Sequence, residues 1–263
     1  MKKIYFLSGL PRSGSTLLGS MLAQNPSITV TPTSPMLDLM CYTNEALRRL
    51  NTQYTYDFKG FSDRVYKSLA ESFYGMMGTD IVIDKHRGWP RNVEPASLFV
   101  SSSPKIICTY RPISEVITSY LTLICSQGQG GNFVDDAIVS EGGRVTTESR
   151  AKTLWHKYIS DPYSSMVYGM KNHRKNIHLV SYSDLTSDPM GVIRGIFDFI
   201  GEPMWGGHDF LNIKNACAEE KDEAWGISGL HDIRPRLEKI SKNPHDVLGA
   251  YLTSYFDQYN ITS

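Results

Sequence analysis

The sequence carries no surplus of either charge: 27 Lys and Arg stand against 27 Asp and Glu over 263 residues. Nucleic-acid binders draw their affinity from clustered basic charge, so that class of partner is excluded, while one local basic pocket for a small anion is not. There is no apolar run of 18 residues, and mean hydropathy is −0.28, so no segment reads as a membrane span. Cysteine is scarce: Cys41, Cys108, Cys125 and Cys217 show no C-x-x-C spacing. Zinc and redox sites are therefore not expected, and reduced thiols in a cytoplasmic protein are. The apolar run after Met1-Lys2-Lys3 is too short for a signal peptide and has no small-residue cleavage site after it. No internal repeat is present, which excludes solenoids and propellers.

What the chain does have is enough apolar residue, 41%, to bury a core. At roughly 150 residues per domain the length fits one large domain or a domain with an insertion. Short runs rich in Ile, Val, Tyr and Phe read as strands: 4–7, 81–83, 105–110 and 176–182. Helical patterns lie between them. Leu17, Leu18, Met21 and Leu22 share a face that stops at Asn25-Pro26. Ser62 is placed to cap a helix carrying Val65, Leu69, Phe73 and Met76. Asp188-Pro189 opens a helix closed by Gly201, and 245–259 forms a last one. Strands alternating with helices predict an α/β fold, a parallel sheet covered on both faces. Residues 126–150, with five glycines, read as a flexible insertion or lid, and 202–236 shows no period.

The strongest local signal is Gly9-Leu10-Pro11-Arg12-Ser13-Gly14-Ser15-Thr16, a strand turning at once into a helix. That geometry aims unpaired N–H groups and the positive helix end at one point, as a phosphate or sulfate requires. The string nearly spells G-x-x-x-x-G-K-[ST], but Ser15 stands where a nucleotide-hydrolysing loop needs lysine. The cation sits instead at Arg12. A P-loop kinase or NTPase is thus the rival reading, supported by the Walker-B-like run Asp80-Ile81-Val82-Ile83-Asp84.

The displaced cation followed by Ser-Gly-Ser-Thr resembles the 5′-phosphosulfate loop of the sulfotransferase family, which uses 3′-phosphoadenylyl sulfate (PAPS) and releases 3′-phosphoadenosine 5′-phosphate (PAP). Lys105–Tyr110 followed by Arg111, Pro112 and a helix bearing Ser119 is similar to the family's 3′-phosphate segment. The resemblance implies a three-layer, P-loop-kinase-like sulfotransferase fold in one domain over residues 1–263. It implies cofactor contacts from Arg12, Ser13, Gly14, Ser15, Thr16, Arg111 and Ser119, and no metal. Tyr182, at the end of a strand with a Y-x-x-L pattern, either lines the nucleotide or packs in the core. Gly226–Pro235 resembles a C-terminal segment of bacterial members, which makes Arg234 and Arg236 further cofactor candidates.

Asp84-Lys85-His86 resembles the family's lysine-and-base strand, although Lys85 and His86 are adjacent. Neighbours on a strand point to opposite faces, so both reach one cleft only if the strand ends near Asp84. Lys85 would stabilise the transferring group, His86 is the first choice of general base with Asp84 orienting it, and Asp38 is the alternative base. Tyrosylprotein-type members place a glutamate about twenty residues beyond the loop arginine. Here that stretch, Thr31–Asp38, has none, and Thr33 and Ser34 fall near the acceptor or loop. The resemblance implies sulfuryl transfer to a small-molecule, glycan or peptide acceptor bearing a hydroxyl or amine. A PAPS- or PAP-binding module without turnover is the remaining alternative. His208-Asp209 and His231-Asp232 form no four-ligand metal spacing, and no G-x-S-x-G elbow is present.

Overall fold

The computed structural model describes residues 2–51, 57–98, 103–127, 131–216, 222, 226–237 and 242–261. Cys217 and residues 128–130 lie outside them. Five parallel strands form one sheet in the order β2-β3-β1-β4-β5: β1 Lys3–Gly9, β2 Ile28–Thr33, β3 Ile81–Lys85, β4 Ile106–Tyr110 and β5 Ile177–Ser181. The helices are α1 Ser15–Leu22, α2 Met36–Asn51, α3 Phe58–Gly75, α4 Val93–Ala96, α5 Ile113–Ser126, α6 Phe133–Ser140, α7 Thr147–Leu154, α8 Ser160–Asn172, α9 Tyr182–Ser187, α10 Pro189–Ile200 and α11 Pro244–Asp257. Single turns at Trp89–Arg91 (3-10) and Trp155–Ile159 (π) interrupt them.

Successive strand residues face opposite sides, and here both sides are covered. Phe6, Val82, Ile106 and Cys108 pack with Tyr74, Ile117, Ile124 and Phe256. Leu7, Ile83, Ile107 and Val180 pack on the other side with Leu18, Met21, Ile193 and Phe197. The result is the three-layer α/β arrangement expected from the sequence. β1 is central, paired to β3 on one side and β4 on the other, so the carboxyl ends of β1, β3 and β4 meet where the chain order reverses. Open α/β sheets bind ligands at such a point.

Several local expectations change. β2 was not expected; it is an edge strand whose Pro32 sits where the pairing register shifts between Val30 and Thr33, so Thr31–Thr33 belong to the sheet. Ser62 does not cap a helix. Asp57 does, accepting from Gly60 N, while the Ser62 hydroxyl donates back to the Phe58 carbonyl. The buried stripe of α3 is therefore Tyr66, Ala70 and Tyr74, and Met76 lies beyond the helix end, exposed. Asp188 and Gly201 do cap α10 as the sequence indicates. Within 126–150, α6 is capped by Asn132, and its Asp135 meets Arg150 of α7 at 2.6 Å in a buried ion pair. Val134 and Ile138 of α6 join the core, while 139–144 and 146–148 are exposed. No helix among the described residues is long and apolar enough to cross a membrane.

Asp84 faces away from the loop that follows β1. It is fully buried, accepting from Tyr74 Oη at 3.0 Å and Trp89 Nε1 at 2.8 Å. It does not orient His86, as the sequence had suggested. Burial pushes its carboxyl up to about 6. Because the folded chain then holds this proton more tightly than the unfolded chain, Asp84 makes stability fall as pH rises from about 4 to about 6. A shift of about two units corresponds to about 3 kcal/mol. The stability of the native chain minus that of Asp84→Asn, from urea unfolding, is expected to drop by about that amount across the window. A difference that stays constant with pH would show that burial does not shift the Asp84 carboxyl.

Candidate active site

The turn after β1 is built by steric necessity. A Cβ on Gly9 would lie 2.2 Å from Thr109 Oγ1 and 2.4 Å from Thr109 O, with φ at +146°. One on Gly14, φ +91°, would lie 2.9 Å from the Tyr182 ring. Arg12 also has positive φ, 58°, which a non-glycine residue adopts only under local constraint. These turns present the N-terminal amides of α1 as a concave anion cradle. Ser13 holds the cradle from behind. It is fully buried, and its hydroxyl sits 2.5 Å from the Leu10 carbonyl and 2.7 Å from the Thr109 hydroxyl. Its side chain is therefore a brace and not a ligand, which leaves its backbone N–H as its contribution.

A cavity of about 1,200 Å³ opens in front of the cradle. Arg12, Gly14, Ser15, Thr16, Lys85, His86, Arg111, Ser119 and Tyr182 all line it, joined by Thr33, Arg234 and Arg236. Residues from six distant parts of the sequence thus converge, while Asp38, the alternative base, does not line the cavity. The volume exceeds the roughly 300–1,000 Å³ of ordinary single-ligand pockets, so it has room for two molecules side by side.

Two arginines dominate one end. Arg12 Nε donates to Ser119 Oγ at 3.3 Å, and Arg12 Nη1 donates to the Leu230 carbonyl, which ties the loop near 230 over the cavity. Neither partner neutralises its charge. Burial pulls the Arg12 pKa down, Tyr120 opposes this, and Arg111 adds to it. Arg111 bonds Glu115 at 2.8 Å, reaches the Arg12 carbonyl at 3.4 Å and lies 4.4 Å over the Tyr182 ring. Arg111 is thus both ion-paired to Glu115 and part of the cavity lining. Tyr182 likewise lines the cavity and stacks. Two cations and a helix N-terminus at one end gather positive charge of the kind that holds anions.

At the other side, β3 continues to Lys85, one residue past the expected end, and the chain turns immediately afterwards. His86 N still bonds Leu7 O, then Gly88 N donates to His86 Nδ1 at 3.1 Å. Leaving the ladder frees His86 from strict alternation, so it joins Lys85 in the cavity. Lys85 Nζ reaches Thr16 Oγ1 at 3.3 Å. His86 Nε2 faces Asp38 Oδ2 at 3.7 Å across the start of α2. Burial lowers the His86 pKa, Asp38 raises it, and Arg87 lowers it further, so the imidazole is neutral near pH 7. With Nδ1 accepting from Gly88, its proton lies on Nε2, toward the carboxylate. Ser34 accepts from Met36 N at the start of α2 and also bonds Asp84, so it supports the site from outside the cavity.

The NTPase rival loses its main support here. The Walker-B-like Asp84 is held by Tyr74 and Trp89 on the opposite face of the sheet, and Lys85, not a carboxylate, reaches Thr16. Among the described residues, no group of three His, Cys, Asp or Glu side chains could hold a metal. Sequence reasoning missed Thr118, whose buried hydroxyl lines the cavity without a hydrogen-bond partner, and the aromatic residues Tyr120, Phe133 and Tyr158. Thr118 stands one position from Ser119, but nothing in its neighbours' types marks it.

A sequence model described as the sulfotransferase family matches residues 5–206. Among curated proteins none matches the chain. Among solved structures, the sulfotransferase domain from the Synechococcus PCC 7002 olefin synthase is 18% identical, covers 100% of this chain and 96% of that one, with TM-score 0.49. The sulfotransferase domain from the curacin biosynthetic pathway is 21% identical over 78% of this chain and 75% of its own, with TM-score 0.49. Retinol dehydratase, solved with retinol and PAP, is 15% identical over 98% and 80%, with TM-score 0.50, a likeness of fold.

Proposed function

The chain belongs to the sulfotransferase family, and from that premise we propose that its cavity binds PAPS and passes the sulfuryl group to an acceptor hydroxyl or amine, leaving PAP. The observation that carries the choice of donor is the meeting of Arg12, Arg111 and Ser119 beside the α1 N-terminus. A nucleotide with both a 5′- and a 3′-phosphate would offer a group to each arginine, whereas ADP carries both of its phosphates at the 5′ end and has none at the 3′ position. The retinol dehydratase of similar fold was solved with PAP, which agrees with this reading. When bound, PAPS supplies an activated sulfuryl group on a phosphate leaving group.

The chain's own residues divide the work. The amides of Gly14–Thr16 and the Arg12 guanidinium hold the 5′ end, and Arg111 and Ser119 hold the 3′-phosphate. Lys85, beside Thr16, faces the oxygen on which negative charge grows as transfer proceeds. We assign the general base to Asp38 and a positioning role to His86. The imidazole lone pair at Nδ1 is engaged by Gly88, and Nε2 already carries its proton, so the free acceptor of the pair is the carboxylate. The described cysteines are free, with Cys41 and Cys125 at the surface, in keeping with a reducing cytoplasm.

Thermal unfolding with PAP, ADP and Mg-ATP tests the donor. PAP at about 100 times its dissociation constant is expected to stabilise the chain by about 2.7 kcal/mol. ADP, lacking the 3′-phosphate, should shift the midpoint far less. An equal or larger shift with Mg-ATP would overturn the assignment.

A further inference from the structure

α5 starts two residues after Arg111 and has no cap of its own. Pro112, just before it, offers no side-chain hydrogen bond, and the first intrahelical bond runs from Val116 N to the Pro112 carbonyl. The amides of Ile113, Ser114 and Glu115 are therefore left without a partner inside the helix. A helix usually meets this need with Ser, Thr, Asp or Asn at the position before its first turn. Here the polar groups come from more than 140 residues further along the chain. Asn260 Oδ1 accepts from Ile113 N at 2.9 Å, and Asp257 Oδ1 accepts from the Ser114 hydroxyl at 2.6 Å. Asn260 Nδ2 donates to the same Asp257 oxygen at 3.2 Å, so the two side chains act as one clamp.

The clamp is itself held in place. Phe256 of α11 is fully buried and shares one core with Val116, Ile117 and Ile124 of α5. Tyr259, next to Asn260, has its ring centroid 4.3 Å from that of Trp155 and meets Tyr163 edge to face at 6.0 Å. Asn260 N bonds the Asp257 carbonyl, closing a turn that brings the two polar side chains together. Both residues are exposed, so what they add to the fold is the cap and not core packing.

Two contacts of the donor site depend on this first turn. Glu115, the third residue of α5, accepts from Arg111 Nε at 2.8 Å, and Ser119, one turn later, accepts from Arg12 Nε at 3.3 Å. An acceptor and a negative charge at a helix N-terminus hold its first turn against fraying. Without them the turn carrying Glu115 opens more readily, and Arg111 loses a partner that sets the direction of its fork. Resting on the PAPS reading above, we propose that Asn260, seated on Asp257, is a positioning residue for the 3′-phosphate subsite. By capping α5 it keeps Glu115, and through it the Arg111 guanidinium, in the arrangement that a 3′-phosphate meets. Neither Asp257 nor Asn260 lines the cavity, so their effect reaches the nucleotide only through α5 and Arg111.

The readout is the ratio of PAP to ADP affinity from calorimetric titration, since ADP has no 3′-phosphate. Asn260→Ala leaves Ile113 N without its acceptor and is expected to lower that ratio about fivefold, the loss of one helix cap read as binding. ADP affinity should stay within about twofold. The melting temperature should fall by about 2–4 °C. A cap with a structural role alone would lower the melting temperature as well but leave the ratio untouched. Exchanging the pair, Asp257→Asn together with Asn260→Asp, keeps one acceptor for Ile113 N and one for the Ser114 hydroxyl. That double variant should bring the ratio back to within about twofold of the native value. The proposal falls if Asn260→Ala leaves the ratio unchanged, whatever its melting temperature. It also falls if the exchanged pair restores the melting temperature but not the ratio. If the native chain binds PAP no more tightly than ADP, the donor reading fails first, and the positioning role falls with it.

Discussion

Asparagine at position 38 is expected to lower kcat for sulfuryl transfer by about 10²–10⁴-fold while PAP affinity stays within about twofold. Asparagine keeps the size of the side chain and an oxygen that can face His86 Nε2 at the same 3.7 Å, but it cannot take the acceptor's proton. Asp38 lies largely exposed at the first turn of α2, and its one ionisable neighbour across the site is the half-buried His86. The substitution therefore leaves packing nearly untouched, and a loss of rate can be assigned to chemistry. His86→Ala should cost about tenfold in kcat, because the carboxylate loses its orienting N–H donor. His86→Gln, whose amide can donate in the same direction, should recover most of that loss. Steady-state kinetics with PAP affinity measured in parallel decides the matter. If His86→Ala proves as damaging as expected for Asp38→Asn, and Asp38→Asn is nearly silent, the imidazole is the base and Gly88 must release Nδ1 during turnover.

Alanine at Arg12 or Arg111 is expected to weaken PAP binding by about 10²–10³-fold, a loss of about 3–4 kcal/mol from two charge-assisted bonds. The two variants should differ in kind. Arg111→Ala removes the stack on Tyr182 and leaves Glu115 facing the 3′-phosphate position without its counter-charge. Arg111→Lys should not restore affinity, since an ammonium lacks the planar fork that serves Glu115 and a phosphate together. Arg12→Ala also frees the Leu230 carbonyl, so the loop near 230 should become easier to cleave by protease. Ser119→Ala, losing one neutral hydroxyl, should cost about tenfold or less. Calorimetric titration with PAP reads all four. Full affinity in both alanine variants would remove the two-phosphate site.

Much of this was legible beforehand because it depends on residues close together in the chain. A glycine-bearing turn between strand and helix is local, so the 9–16 loop could be recognised from spacing, whereas Arg111 and Ser119 were picked out by the resemblance of their segment to the family's. The caps of α10 are local for the same reason. β2 was harder to read, since Pro32 argues against a strand unless the strand is known to be an edge. Asp84 misled because its run looks like a metal-binding strand. Its true partners, Tyr74 and Trp89, lie on either side of it in sequence but come together only through the sheet face they share. The Ser13 side chain shows the same limit in the opposite sense: its type fits a phosphate loop, yet the close approach of β4 turns it inward onto Thr109.

The sequence by itself determined the alternation of strands and helices and the glycine-bearing turn after β1, because periodicity and turn chemistry act over a few residues. Tertiary structure alone decided the rest. Which lone pair of His86 is free depends on the turn to Gly88, and its partner Asp38 comes from another element. The aromatic wall of the cavity is made of three rings brought together from α5, α6 and a π turn, and such a contact is fixed by packing between helices, which no single stretch of sequence encodes.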